Sequence, residues 1–481
     1  MLEEPRDHCG VFGIFNHKNA VELAYLAIYS LQHRGEESAG IAVSDGFQIN
    51  TNKGMGLVSE VFNSETLKKL SGKTAIGHVR YSTTGSSDIR NAQPFFVEYF
   101  GGSVAIAHNG NFVNTSSLRK KLEISGSIFQ TTIDTELIAH LLAKSKEKNF
   151  KNKVINSLAK VKGAYAIVMM DGPRLVAAKD PNGFRPLCLG KIDGSYCVAS
   201  ETCAFDLIGA EYIREVDPGE ILIIDKDGLE SIKPFAPASN SFCIFEFIYF
   251  ARPDSNIYGK SVYEVRTEFG KQLAKECPVE ADVVIPVPDS GNYAAFGYSR
   301  ESGIPIELGI VRNHYIGRTF IQPLQQQRDV SVRIKLNPIK KVFKNRKVVV
   351  IEDSIVRGTT SRMRIKALRD AGAKEIHMRV SCAPHKHPCF YGIDFPSKKE
   401  LIASSHTIEE IRIFLGLDSI GYLSIEGMFK AINMSENNFC AACFNGRYPV
   451  EVKDTLTGGR LEKNRLDRKY KNTKINACKG C

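Results

Sequence analysis

Residues 348–361 read VVVIEDSIVRGTTS, and the fold of the second half of the chain turns on them. Val348, Val349, Val350 and Ile351 are four β-branched residues in a row. They predict a strand that is apolar on both faces, the pattern of a parallel sheet covered on both sides. Glu352 and Asp353 follow at once and so stand at the carboxyl end of that strand, where open α/β sheets hold their ligands. Ser354, Arg357, Gly358, Thr359 and Thr360 then offer hydroxyls, a guanidinium and a loosened backbone before the helical pattern SRMRIKALRDAG begins. Amide groups and the dipole at a helix start favour an anion, and the acids just upstream can take sugar hydroxyls or Mg²⁺. A plain crossover with solvated acids is the competing reading, but it does not call for this run of residue types.

Outward from this stretch the same alternation holds. ADVVIPVP, IPIELGIV and EIHMRVSC read as further strands, with VYEVRTEFGKQLAKEC and a small-residue segment as helices among them. Strands alternating with helices predict an α/β unit with a doubly wound parallel sheet. Residues 406–415 and 424–434 read as helices, and the lysine-rich end from Lys463 reads as frayed. A linker-like break, FAPAS, lies at 235–239. Before it the pattern changes. SAGIAVS, TAIGHVRYS, SVAIAHNG, AYAIVMMDG, LVAAKD, YCVASE and EILIID are short strands bounded by Gly, Asp or Asn, with helical patterns at 20–31, 135–144 and 154–161. Layers of sheet and helix in an α+β arrangement are the expected packing. The division read from this is a leader over 1–8, a first domain over 9–235, a second over 240–450, and a basic, disordered tail over 451–481.

Bulk properties agree with a large soluble protein. At 481 residues the chain is long enough for two or three domains, and 43% hydrophobic with 24% charged residues is an ordinary globular balance. No apolar run approaches a membrane span, and the charged start MLEEPRDH has no apolar core of a secretory signal, so a cytoplasmic protein is expected. The net charge of +11 is spread along the chain, densest over 460–479. Small polyanionic substrates account for it, and neither nucleic acid nor membrane is an expected partner. In a reducing compartment the 12 cysteines are unsuited to disulfides, so some should be catalytic or metal-bound.

Cys9 opens the apolar segment Cys9-Gly10-Val11-Phe12-Gly13-Ile14 close to the N-terminus. Behind a leader it is a thiol with an ordinary pKa near 8.5. With residues 1–8 removed, an α-amino group of pKa about 7.7–8.0 sits on the same residue and can act as its base. A buried strand cysteine is the plainer alternative. Context decides between them. CGVFGI, QHRGEESAG (32–40), GHVRYSTTG (77–85) and AHNG (107–110) together resemble the class II glutamine amidotransferases. The resemblance implies an N-terminal-nucleophile αββα sandwich in which Cys9 attacks the glutamine side-chain amide and releases ammonia through a thioester. It further implies an oxyanion hole at Asn109 and Gly110, with Arg80 on the glutamine carboxylate and Asp134 on its ammonium. Such paired opposite charges select a free amino acid. One departure stands in the second motif: Glu36 occupies the place where that family usually has Gln, and no reacting group changes.

VVVIEDSIVRGTTS resembles the phosphoribosyl-pyrophosphate (PRPP) fingerprint of type I phosphoribosyltransferases. With PVPDSG (286–291) and RNHYIGRTFIQPLQQQR (312–328), nearly the whole chain resembles the glutamine PRPP amidotransferase family. What this implies is displacement of pyrophosphate from ribose C1 by ammonia, giving 5-phosphoribosylamine, glutamate and pyrophosphate, the first committed step of purine synthesis. Implied PRPP contacts are Glu352, Asp353, Ser354, Arg357, Gly358, Thr359 and Thr360, with Arg318 and Arg328 on a closing loop, and implied Mg²⁺ contacts are Ser290, Glu352 and Asp353. Purine nucleotides as feedback inhibitors and a homo-oligomer, a tetramer, are implied as well. Two other readings compete. A regulatory PRPP-binding protein on the same scaffold would not need a full glutaminase set, and a glucosamine-phosphate synthase would not carry the PRPP stretch.

Spacing alone leaves the metal open. Cys440-Ala-Ala-Cys443 is a C-x-x-C pair, and grouped with Cys478 and Cys481 it would read as a zinc site. In the cluster-bearing branch of the resembled family, the counterparts of Cys243, Cys389, Cys440 and Cys443 ligate [4Fe–4S], which is the implied assignment here. Cys478 and Cys481 are then tail thiols. Cys188, Cys197, Cys203, Cys277 and Cys382 are expected to pack as small apolar residues.

Overall fold

The computed structural model describes residues 9–81, 87–313, 336–393, 395 and 398–452. Two antiparallel sheets come first, one of seven strands and one of six. In the first, Gly10–Ile14 is flanked by Thr74–Arg80 and Ser195–Ala199. The second centres on Gly102–Phe112, Gly163–Met170 and Leu175–Lys179. Several of these strands are buried along their whole length, which a sheet with one wet face would not allow.

The period-two alternation of a strand explains how both faces are used. Val11, Ile76, Ala105, Ala107, Ala166 and Val168 share the core between the two sheets. Their neighbours Phe12, Ala75 and Val79 face helices Ala20–Ser30 and Cys203–Ile208 on one outer side. Ile106, Tyr165, Ile167 and Met169 face Thr115–Ile124, Thr135–Ala143 and Phe150–Leu158 on the other. The layers are therefore helix, sheet, sheet, helix, as expected. Each large aliphatic side chain so enclosed contributes about 1.5–3 kcal/mol.

The parallel sheet follows, with Val283–Pro286, Lys347–Glu352, Glu375–Val380 and Ser419–Tyr422 as neighbours in that order. Its second strand is the one read from VVVIE, and Val348 to Ile351 are fully buried. Helix Val262–Glu276, capped by the Ser261 side chain, packs beside Asn292–Ser302.

Two expectations change. IPIELGIV is not a continuous strand: only Ile306 bridges to Val284, and Ile310–Arg312 pairs instead with Leu336–Pro338. Pro305 has no N–H to give a ladder, and Leu308 is 64% exposed, so the segment has too little to bury. The helix expected at 154–161 runs from Phe150 to Leu158, because the Asn149 side chain accepts the Asn152 N–H and starts it a turn earlier. The leader 1–8, and the tail from 453 onward with Cys478 and Cys481, lie outside the described residues.

A seam joins the sandwich to the parallel-sheet half. Phe242–Cys243 pairs in parallel with Phe439–Cys440. Val113, Ala164, Phe184, Tyr391, Cys440 and Ala442 share a small core there, with the Phe184 and Tyr391 rings stacked at 4.3 Å.

Candidate functional site

Cys9 stands just ahead of the first strand, 8% exposed, its Sγ 3.6 Å from the Tyr81 carbonyl. Burial pushes its thiol up, with the Tyr81 backbone and the Arg80 charge pulling the other way. A thiol in that condition is protonated at neutral pH and needs a proton acceptor to become a nucleophile. Arg80 ends the neighbouring strand, 2% exposed, and pairs with Glu37 at 2.5 Å. Asp134 sits ahead of helix Thr135–Ala143, accepts the Phe112 N–H at 3.0 Å and lies 3.4 Å from His108 Nδ1. Both Arg80 and Asp134 act electrostatically on the Cys9 thiol, so the three share one buried pocket region.

Asn109 and Gly110 lie on the strand between those two Asp134 partners. Asn109 is fully buried, and neither its side-chain oxygen nor its nitrogen has a partner. An unspent amide donor in a dry site is costly unless something uses it. Gly110 has φ +146°, and a Cβ there would lie 2.1 Å from the Ala164 carbonyl oxygen, so only glycine fits. A side-chain amide beside a backbone N–H is the donor set a tetrahedral oxyanion requires.

Sequence reading gave no role to the buried charges behind Cys9. Arg34 donates through Nε to the Cys9 carbonyl at 3.1 Å and pairs with Glu201 and with Glu246. Burial alone would raise the Glu201 carboxyl, yet the His33 and Arg34 charges hold it well below the usual range. Among the described residues, the one set of potential metal ligands within 4.8 Å of one another is His33, Glu201 and Cys203. Glu201 is already spent there: it also accepts from Ser255 Oγ at 2.7 Å and the Arg252 N–H at 2.8 Å. That set is an ion-pair hub, and its only trace in the sequence was the motif QHRG, which contains Arg34. His78 is a second residue without an assigned role; burial lowers it to about 3, so it is a neutral ring bonded to the His108 carbonyl at 3.1 Å.

The residues read as a second site lie at the end of strand Lys347–Glu352. Glu352, Asp353 and Ser354 are each at most 8% exposed. Asp353 accepts from the Ser290 hydroxyl and, at 2.5 Å, from the Ser354 hydroxyl, while Glu352 pairs with Arg364 one helical face away. Gly358, with φ +81°, turns the loop into helix Thr359–Asp370, and Arg357 is oriented by Glu400 at 2.9 Å. Arg266, which sequence reading missed, is buried to about pKa 10 by desolvation and faces Asp353 electrostatically. Ser290 and Asp353 offer hard oxygens suited to Mg²⁺; Glu352, neutralised by Arg364, is the least available of the three. Arg318 and Arg328 lie outside the described residues.

Cys243, Cys389, Cys440 and Cys443 come together across the seam. All four are free thiols; Cys389 acts electrostatically on Cys243, and Cys243 and Cys389 both act on Cys440 and Cys443. Burial raises every one of them, so four buried thiolates there need a metal's charge to hold them. Their sulfurs include no set of three within 4.8 Å, whereas a Zn–S length of about 2.3 Å puts tetrahedral ligands at about 3.8 Å from one another. Of the other cysteines, Cys188, Cys197, Cys203 and Cys382 are buried and Cys277 is half-buried.

A family model for a glutamine amidotransferase domain matches residues 78–206. A Bacillus subtilis protein named amidophosphoribosyltransferase is 50% identical over 456 residues, 94% of this chain and 96% of that one. An Archaeoglobus fulgidus protein of the same name is 50% identical over 92% of this chain and 98% of its own. An Arabidopsis thaliana relative, called chloroplastic, is 51% identical over 95% of this chain and 82% of its own. Among solved structures, the B. subtilis glutamine PRPP amidotransferase complexed with ADP and GMP superposes with TM-score 0.90 at 49% identity, covering 94% of this chain and 100% of that one.

Proposed function

Because the chain belongs to the amidophosphoribosyltransferase family, we propose that its two sites work in series, Cys9 freeing ammonia from glutamine and residues 352–360 presenting PRPP to it. The enzyme transfers that ammonia to PRPP, giving 5-phosphoribosylamine, glutamate and pyrophosphate, at the entry to purine nucleotide synthesis. The observation that carries the residue assignment is Asn109, a fully buried amide with no partner on the strand whose flanking residues hold Asp134.

On the donor side, the α-amino group exposed by removal of residues 1–8 takes the Cys9 proton as the sulfur attacks the glutamine amide carbon. The Asn109 side-chain amide and the Gly110 N–H donate to the oxyanion, the N-terminal ammonium returns its proton to the leaving nitrogen so that it departs as ammonia, and water releases glutamate from the thioester. Arg80 and Asp134 grip the amino-acid end, kept in place by Glu37 and by His108 with the Phe112 N–H. On the acceptor side, residues 357–360 cradle the 5-phosphate at the helix start, and Asp353 with the Ser290 and Ser354 hydroxyls orients the ribose and pyrophosphate. Arg318 and Arg328 neutralise the departing pyrophosphate. Mg²⁺, held by Ser290, Asp353 and Glu352, would lower the cost of that departure. Cys243, Cys389, Cys440 and Cys443 would hold a [4Fe–4S] cluster that cross-links three distant segments.

The glutaminase domain covers 9–235 and the phosphoribosyltransferase domain 240–450. In this reading the protein is a cytoplasmic homotetramer under purine nucleotide feedback. None of its described helices is long and apolar enough to cross a membrane. Intact mass tests the first step: the active chain begins at Cys9, and a fully active enzyme retaining residues 1–8 would overturn the N-terminal base. Iron and acid-labile sulfide near about four per chain are expected for the cluster, and stoichiometric zinc would refute it.

A further inference from the structure

The loop 389–392 belongs to the parallel-sheet half by position, yet it touches the donor site at three points. Asn111, next to Gly110, donates through Nδ2 to the Phe390 carbonyl at 2.9 Å, across 279 residues of sequence. Gly392 has φ +111°, and a Cβ there would come within 3.2 Å of the Gly110 carbonyl carbon. Arg185 donates through Nη2 to the Tyr391 carbonyl at 2.6 Å and through Nη1 to Glu246 at 3.1 Å. Glu246 is the same carboxylate that takes Arg34 at 2.9 and 3.0 Å, and Arg34 holds the Cys9 carbonyl at 3.1 Å. Arg34, Arg185 and Glu246 are at most 1% exposed.

We propose that the 389–392 loop is the backstop of the glutaminase site, and that Asn111 and Arg185 are the positioning residues through which it sets the Gly110 peptide and the Cys9 backbone. This rests on the reading of Cys9, Asn109 and Gly110 as the glutaminase set. Oxyanion donors act only when held within about 0.5 Å of the productive position, so a support need not touch substrate to matter. Asn111 bears on the donor strand and Arg185, through Glu246 and Arg34, on the nucleophile strand. Moving either one mistimes the transition state while leaving glutamine binding at Arg80 and Asp134 in place. Neither contact reaches Asp353, so use of free ammonia does not depend on them.

The test uses the full-length mature enzyme with glutamine or ammonium as nitrogen source. Asn111→Ala should lower kcat with glutamine about tenfold, change KM for glutamine less than about twofold, and leave the ammonium-dependent rate within about twofold. Arg185→Lys, which keeps the buried charge but not the two-pronged reach, should give the same split to a smaller extent. Alkylation of Cys9 by iodoacetamide, which uses no oxyanion hole, should keep its rate in Asn111→Ala. An equal fall with both nitrogen sources, a loss confined to KM, or no change in either variant would overturn the proposal. Cys9→Ala measured alongside separates the two levels: if it still uses glutamine, the glutaminase reading itself fails, and if it does not while the Asn111 and Arg185 variants behave as wild type, only the backstop fails.

Discussion

The acceptor residues from Glu352 to Thr360 occupy one unbroken stretch at the end of a single strand, whereas Cys9, Arg80, Asn109 and Asp134 come from four segments that meet only in the sandwich. The first kind of site depends on a local turn and a helix start. The second depends on the register of two sheets and on buried charges behind them. Ser290 is a long-range member of the acceptor group, bonded to Asp353, whereas every member of the donor group is long-range. Damage to packing should therefore reach the glutamine reaction first and the ammonia reaction last.

The sharpest break in this contrast is expected from Cys9→Ala, which should lower glutamine-dependent synthesis by more than about a thousandfold, since the covalent route is lost. Synthesis from ammonium at high pH should continue, and parallel steady-state assays with the two nitrogen sources read the split. If both rates collapse, the two sites are not separable. Asp353→Asn should act on the shared step and lower both rates together by about a hundredfold or more, through weakened metal and ribose contacts worth several kcal/mol. A loss confined to glutamine would contradict the placement of PRPP.

Replacement of Arg34 probes the packing side. Arg34→Met removes the cation shared by Glu201 and Glu246 and leaves His33 and Arg185 as their remaining charged partners, at an expected cost of about 3–5 kcal/mol in denaturant unfolding. Glutamine use should suffer more than ammonia use, and an unchanged midpoint would show that the hub carries no stability. The hub also has a sign in pH. The Glu201 carboxyl is depressed in the folded protein, so its contribution is fully present above the ordinary value of 4.5 and is lost as pH falls below it toward the lower folded value. The stability lead of wild type over Glu201→Gln should shrink on acidification below pH 4.5, as followed by thermal unfolding. The smallest effect is expected from Glu36→Gln. That half-buried residue lies outside the proposed reacting set, so glutamine-dependent kcat should move by less than about twofold, the roughly 0.5 kcal/mol typical of sites without a special role.

Much of this was legible before any coordinates. A run of four β-branched residues has few ways to be buried, and acids directly after it must stand at a strand end, so Glu352 and Asp353 were placeable by local geometry alone. The apolar content of 304–311 suggests a strand that the structure does not form. Pro305 and the exposed Leu308 leave it one bridge to Val284 and a separate hairpin instead. Glu201, Glu246 and Arg185 gave no signal at all. A charged residue in sequence looks solvated, and only burial beside an opposite charge from far along the chain makes it a support.

From the order of residues came the two kinds of sheet, the strand-end acids and the C-x-x-C pair, because strand period, turn chemistry and motif spacing are short-range properties of the chain; the proposed role of Cys9 came from the resemblance of its motifs. Tertiary structure alone decided that Asn109 lies buried with an unspent amide, that Cys243 and Cys440 stand side by side, and that the 389–392 loop rests on Gly110. Those are outcomes of which distant surfaces close on one another, and closure is set by the summed burial of two cores rather than by any one stretch.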